Sequence, residues 1–104
     1  EQMVLDLRVA LLQAQAMGSL MDGISTVLLA GNHLDDGAFR EGSYSDFKYA
    51  RQADAPLECE VHLVGGTGKP GGVGELCVPA AAGAVANAYA RATGDKPRNF
   101  PINF

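Results

Sequence analysis

Apolar residues recur at spacings of three and four along the first third of the chain. Met17, Leu20, Met21, Ile24, Val27 and Leu28 share one such stripe, the period of a single helix face. This predicts a helix from about Leu7 to Leu29. Gly18 and Gly23 interrupt it, each at about 1 kcal/mol relative to alanine in a helix interior. Small residues in a buried helix admit a close neighbour, and Gly18 and Ser19 stand together here. Ala30-Gly31-Asn32 carries the C-cap chemistry that ends the element.

The period then changes. Asp36-Gly37 is a turn signal, with short strands expected on either side. The first lies within Ser25–Ala30 or later into Leu34, and the second at Ala38–Gly42. Ser43 to Arg51 has no clean period and reads as a loop or short strand, and Ala53 to Pro56 as a break. Leu57 to Val64 alternates strictly, with Leu57, Cys59, Val61 and Leu63 on one face and Glu58, Glu60 and His62 on the other. By pattern it is the clearest strand of the chain. Gly65 to Gly74 is a glycine-rich loop. Pro79 suits the first turn of a second helix, and Ala80 to Thr93 is helix-favouring, with Val85, Tyr89 and Ala92 on one stripe. Gly94 and then Pro97 mark its end, and Arg98 to Phe104 reads as extended. The pattern predicts an α+β fold in one domain over residues 1–104: two helices packed on a small, mostly antiparallel sheet.

Composition narrows the function. Hydrophobic residues at 47 % and charged residues at 19 % place the chain among globular sequences. A chain of 104 residues buries a modest share of its surface and is marginal alone. The net charge is −4 and the eight basic residues are scattered, which argues against a nucleic-acid partner. No apolar run has the length of a membrane span, and Glu1-Gln2-Met3 lacks the basic flank of a signal peptide. Cys59 and Cys77 form no Cys-x-x-Cys pair and read as reduced thiols, and His33 and His62 show no metal-ligand spacing.

The glycine loop offers two motif matches. Gly66-Thr67-Gly68-Lys69-Pro70-Gly71 fits G-x-G-x-x-G, but a dinucleotide site needs a helix to begin inside the motif, and Pro70-Gly71-Gly72 opposes one. Gly68-Lys69 resembles a P-loop, but Pro70 stands where Ser or Thr is required. Gly71-Gly72-Val73-Gly74-Glu75 places one carboxylate after flexible backbone and before a helix. From the residues alone, Glu75 reads either as an acid complementing the helix N-terminus or as a positioned general base.

A resemblance bears on that choice. Gly71 to Ala88, Gly-Gly-Val-Gly-Glu-Leu-Cys-Val-Pro through Ala-Asn-Ala, resembles a signature of the molybdenum-binding subunit of xanthine-oxidase-family hydroxylases, in the isoquinoline 1-oxidoreductase and aldehyde dehydrogenase branch. Three further blocks resemble that subunit's C-terminal part in the same order: Gln15 to Ser25; Tyr44 to Val64, with Arg51, Ala55-Pro56 and Glu60-Val61-His62-Leu63-Val64; and Ala92-Thr93-Gly94 to Ile102. Together they span about Val9 to Ile102. Leu76 departs from the usual proline after the glutamate, Cys77 from a glycine, Met17 from a glutamate and Ser19 from a glycine. The usual Gly-Arg-x-x-Asn-Pro turn before the first block is absent from Met3 to Leu12.

The resemblance implies a part of a larger molybdenum-binding domain, in an enzyme that hydroxylates N-heterocycles or oxidises aldehydes. It places Glu75 on the family's general base and Gln15 on a glutamine that hydrogen-bonds the pterin. Gly72, Val73 and Gly74 become cofactor-binding backbone, and no side chain ligates the metal. The implied cofactor is molybdopterin, in its cytosine dinucleotide form, in the complete enzyme and none on the isolated chain. The implied partners are the remainder of the molybdenum subunit and an iron–sulfur subunit. Such enzymes occur in cytoplasm and periplasm, so no compartment follows. Against this catalytic reading stand a non-catalytic remnant that binds only a protein partner, and a free-standing small-molecule domain using the glycine loop. As a piece of a larger unit the chain should expose apolar faces, and self-association or partner binding is expected through the first helix around Met17, Met21 and Leu28.

Overall fold

The structure is a computed structural model that describes all 104 residues. Helix α1 spans Gln2–Leu28 and helix α2 spans Cys77–Thr93. Between them lie strands β1 (Leu34–Asp35) and β2 (Ala38–Phe39) and a single 3₁₀ turn at Gln52–Asp54. The class is α+β, with two helices and one two-stranded antiparallel sheet. The helices pack on each other, and His33 beside the hairpin stacks on Phe104 of the tail, which itself hydrogen-bonds the end of α1 through Ile102 and Asn103. No helix is long and apolar enough to cross a membrane.

The hairpin follows its turn chemistry. Asp36 and Gly37 both take positive φ, at 50° and 82°, as a tight two-residue turn with matching strand twist requires. Leu34 faces Phe39 and Asp35 faces Ala38 across the ladder. Asp35 accepts two hydrogen bonds from the Arg40 guanidinium, at 2.7 and 3.1 Å. The resulting hydrogen bonding holds the Asp35 carboxyl below the usual range.

Helix α1 begins five residues before the expected Leu7, because Gln2 to Asp6 contain no breaker and extend the same helix-favouring run. Its end differs more. The helix stops at Leu28, and the cap is Leu29, not a left-handed glycine. The orphan carbonyls of the last turn are met from the chain's other end: Ile102 N–H donates to Val27 O at 2.7 Å and Asn103 N–H to Leu28 O at 3.0 Å. The tail expected to be extended therefore turns back over α1. Gly31 is needed for that approach, not for a cap: a Cβ there would lie 2.8 Å from two Phe104 ring carbons. Helix α2 starts at Cys77, two residues ahead of Pro79, and ends as expected on Gly94 at φ 78°.

The helices meet at Gly23. A Cβ there would stand 2.7 Å from both Ala81 Cβ and the Val78 carbonyl oxygen. The close neighbour expected at Gly18 and Ser19 is thus displaced by one turn: Ser19 is buried, but Gly18 faces open space. Around this contact Ile24, Val27, Ala81 and Ala50 form the small apolar core. Of the α2 stripe, Val85 and Tyr89 are half-buried and Ala92 is exposed.

Ser25 is the most deeply buried side chain, with no exposed surface. Its Oγ accepts the Ala50 N–H at 2.9 Å, pinning the middle segment to α1. Nearby, Tyr49 donates its hydroxyl to Asp22 at 2.6 Å, and this bond raises the phenol above its usual range. Ser25→Ala should strand the buried Ala50 donor and cost about 1–3 kcal/mol. Denaturant melts of the purified chain would show it, and an unchanged midpoint would mean that water replaces the hydroxyl.

Leu57 to Val64 is not a strand. From Leu57 to Gly74 no residue makes a backbone–backbone hydrogen bond. Alternation produces a two-faced ribbon, but a strand exists only when a neighbour pairs with its N–H and C=O groups. No other segment pairs with it, and Leu57 and Val64 are almost fully exposed.

Candidate functional site

The sequence places its candidate site at the glycine loop and one glutamine. The structure brings these two together across 59 positions of chain. Gln15 lies midway along α1, and its Nε2 donates to the Gly74 carbonyl oxygen at 2.7 Å. The contact forms because the loop must descend beside α1 before α2 seats on Gly23. No protein donor engages the Gln15 Oε1, so the amide keeps one acceptor available while tying down the loop.

Glu75 stands immediately before Leu76, the N-cap of α2. Its carbonyl accepts the Val78 N–H at 3.2 Å. Its carboxylate is exposed, and no hydrogen bond or ion pair holds it. Leu76 supplies no side-chain cap and the first turn of α2 has no acid, so the Glu75 charge sits beside uncapped helix donors. Gly72 and Gly74 are open on the side where a Cβ would point, and Val73 is 38 % exposed. The loop thus offers bare backbone and one unpaired acid on the same side of α1 as the Gln15 amide.

These residues suit a large polar cofactor approached by backbone. An open double-glycine stretch admits close contact, Gln15 presents an acceptor, and Glu75 presents an unpaired base. The chain supplies no cluster of three or more His, Cys, Asp or Glu side chains for a metal ion.

A second polar cluster escaped the sequence reading. Glu41 accepts the His33 backbone N–H at 2.7 Å and meets its ring Nδ1 at 2.5 Å. Donation by the His33 backbone, then by its ring, holds the Glu41 carboxyl below its usual range. The same imidazole stacks on Phe104, with centroids 4.0 Å apart and an interplanar angle of 17°. A cleft of about 240 Å³ lies alongside, bordered by Leu29, Lys48 and Asn103 among others. Its sequence signal is the Asp36-Gly37 turn: pairing Leu34 with Phe39 sets His33 opposite Arg40 and next to Glu41. The Phe104 contact had no such signal, because it needs the tail to return. Neither cysteine is bonded: Cys59 is exposed and Cys77 half-buried.

Comparison of the chain with protein-family models, with curated proteins and with solved structures finds no match.

Proposed function

We propose that this chain is the C-terminal segment of the molybdenum-binding subunit of a xanthine-oxidase-family hydroxylase, acting on N-heterocycles or aldehydes. The observation that best supports the reading is the Gln15–Gly74 hydrogen bond. It joins the two blocks to which the resemblance gives cofactor and catalytic roles, which nothing in their sequence spacing requires.

In this reading Glu75 is the general base. Its carboxylate has no competing partner within the chain and is free to accept a proton from a group brought against the loop. Gln15 positions the loop through Gly74 and presents Oε1 to an amide or amine donor of the pterin. Gly72, Val73 and Gly74 bring backbone close to the cofactor. When bound, molybdopterin in its cytosine dinucleotide form supplies the two-electron redox chemistry. The remainder of the molybdenum subunit and an iron–sulfur subunit would complete the cofactor cage and the electron path. The small core and long bare loop suit a piece of such an assembly.

The test is a pull-down of the tagged chain from its native host, with molybdenum and iron measured in the eluate. Stoichiometric molybdenum with a co-purifying larger polypeptide is the expected result. A chain recovered without metal under conditions that preserve molybdenum enzymes would overturn the proposal and leave Glu75 as a helix-end carboxylate.

A further inference from the structure

The middle segment passes along α1 toward the helix's amino end. Tyr49 reaches Asp22, and the Ala50 N–H reaches Ser25. The chain then closes the 3₁₀ turn at Gln52–Asp54, where the Arg51 N–H donates to the Asp54 carboxylate at 2.8 Å. Ala55 and Pro56 lead on to Cys59, and a cleft of about 160 Å³ lies between this stretch and the helix. That volume is well under the ~300–1,000 Å³ of a pocket for an organic ligand. It is ample for one ion.

Three sulfur-bearing side chains border the cleft: Met17 and Met21 from α1, and Cys59 from the segment opposite. The two methionines are four positions apart, which sets them on one helix face with Cβ atoms about 5–6 Å from each other. Gly18 also borders the cleft, and open space lies where its side chain would stand. No Asp, Glu, His, Lys or Arg lines it, and Gln52 is the one polar side chain besides the thiol. Sulfurs that served packing alone would be buried. Met17 is instead 47 % exposed, Cys59 is exposed and free, and Met21 is half-buried.

We infer that Met17, Met21 and Cys59 form a binding site for one copper(I) ion. Thiolate and thioether donors select soft metals, copper(I) among them. Hard cations such as calcium and magnesium need several oxygen ligands, and the cleft offers only the Gln52 amide from a side chain. Charge separates copper(I) from zinc. Binding deprotonates the Cys59 thiol and releases that proton to solvent, so one thiolate, two neutral thioethers and one copper(I) sum to zero. Zinc would leave a net positive charge in a cleft with no acid to offset it. Zinc sites also draw on Cys, His and carboxylates, of which this cleft has Cys59 alone. The unbranched methionine side chain has three rotatable bonds, which lets both thioethers turn onto an ion that the thiolate holds. The inference rests on α1 and the middle segment, and does not draw on the catalytic reading of Glu75.

The test is an anaerobic titration of the full chain with copper(I) against a copper(I)-selective chromogenic chelator. One equivalent should bind, and X-ray absorption at the copper edge should show sulfur neighbours only. Cys59→Ser should abolish binding, whereas Cys77→Ser should leave it unchanged. Met17→Leu and Met21→Leu keep volume nearly constant, and each should weaken binding by at least the roughly 10–100-fold that loss of a supporting outer-shell contact costs a metal site. Circular dichroism of each variant should match the wild type, since the two ligands most open to solvent carry little of the fold. Retention of full affinity in the double variant Met17→Leu, Met21→Leu would overturn the inference and reduce the site to a single reactive thiol. So would loss of binding in Cys77→Ser, or tighter binding of zinc than of copper(I).

Discussion

Gly23→Val should push the two helices apart and remove most of the chain's stability. A Cβ at this position would stand 2.7 Å from the Val78 carbonyl oxygen and 3.3 Å from the Ala82 nitrogen. Both are backbone atoms of α2, so no side-chain rotation relieves the contact. The remaining neighbour, Ala81 Cβ at 2.7 Å, is equally fixed. Overpacking a well-filled contact costs about 1–3 kcal/mol, and the small gain in helix propensity on replacing glycine offsets under 1 kcal/mol of it. The core has few other members, chiefly Ile24, Val27, Ala50 and Ala81. A loss of that size is therefore a large fraction of what a domain this small can hold. Gly18→Ala provides the contrast. Nothing lies within 4 Å of its added methyl, so it should raise stability by about 1 kcal/mol through propensity alone. Urea melts followed by circular dichroism would measure both. Equal midpoints for Gly23→Val and the wild type would mean that the helices do not meet where this contact places them.

On the proposed reading, Glu75→Gln should abolish turnover in the assembled enzyme while leaving the chain folded. The substitution keeps the shape and removes the basic oxygen. General-base assistance is typically worth ~10²–10⁴-fold in rate, and kcat should fall by that factor with molybdenum content unchanged. The carboxylate has no hydrogen-bond or ion-pair partner in the chain, so no structural contact is lost. The competing role makes the opposite pair of predictions. An acid serving only the N-terminus of α2 would lower stability by about 0.3–1 kcal/mol on neutralisation and leave kcat alone. Measuring the melt of the isolated chain beside the turnover of the assembly separates the two. Full activity in the Gln variant would end the catalytic reading.

Much of the local structure was legible from single positions. Asp36-Gly37 specified the hairpin and its turn, since both residues tolerate the positive φ that a tight hairpin needs. Gly94 specified the end of α2 by the same property. The Met17-to-Leu28 stripe specified a helix whose buried face includes Ile24 and Val27. The α+β class followed from the change of period between these elements. Glu75 and Gln15 could be singled out by resemblance, but no local rule states that they lie close in space.

Where sequence reading failed, the deciding partner lay far away along the chain. Leu57 to Val64 carries the strongest alternation, yet alternation encodes two faces and not the neighbour that makes a strand. Gly31 looked like a cap, while the returning tail uses its bare backbone for Phe104 and meets the last carbonyls of α1 itself. Gly18 and Gly23 are alike in sequence, and only the seating of α2 shows that one is a contact and the other open.

By itself, then, the sequence determined the hairpin turn, the two helices and the apolar stripe of α1, because each depends on backbone preferences and periods contained within a few residues. Tertiary structure alone decided that Gln15 holds Gly74, that Ser25 anchors Ala50, that His33 is gripped by Glu41 and Phe104, and that the first four turns of α1 stand uncovered. Each of these depends on which surfaces remain after two helices have met at one glycine, and no local pattern carries that information.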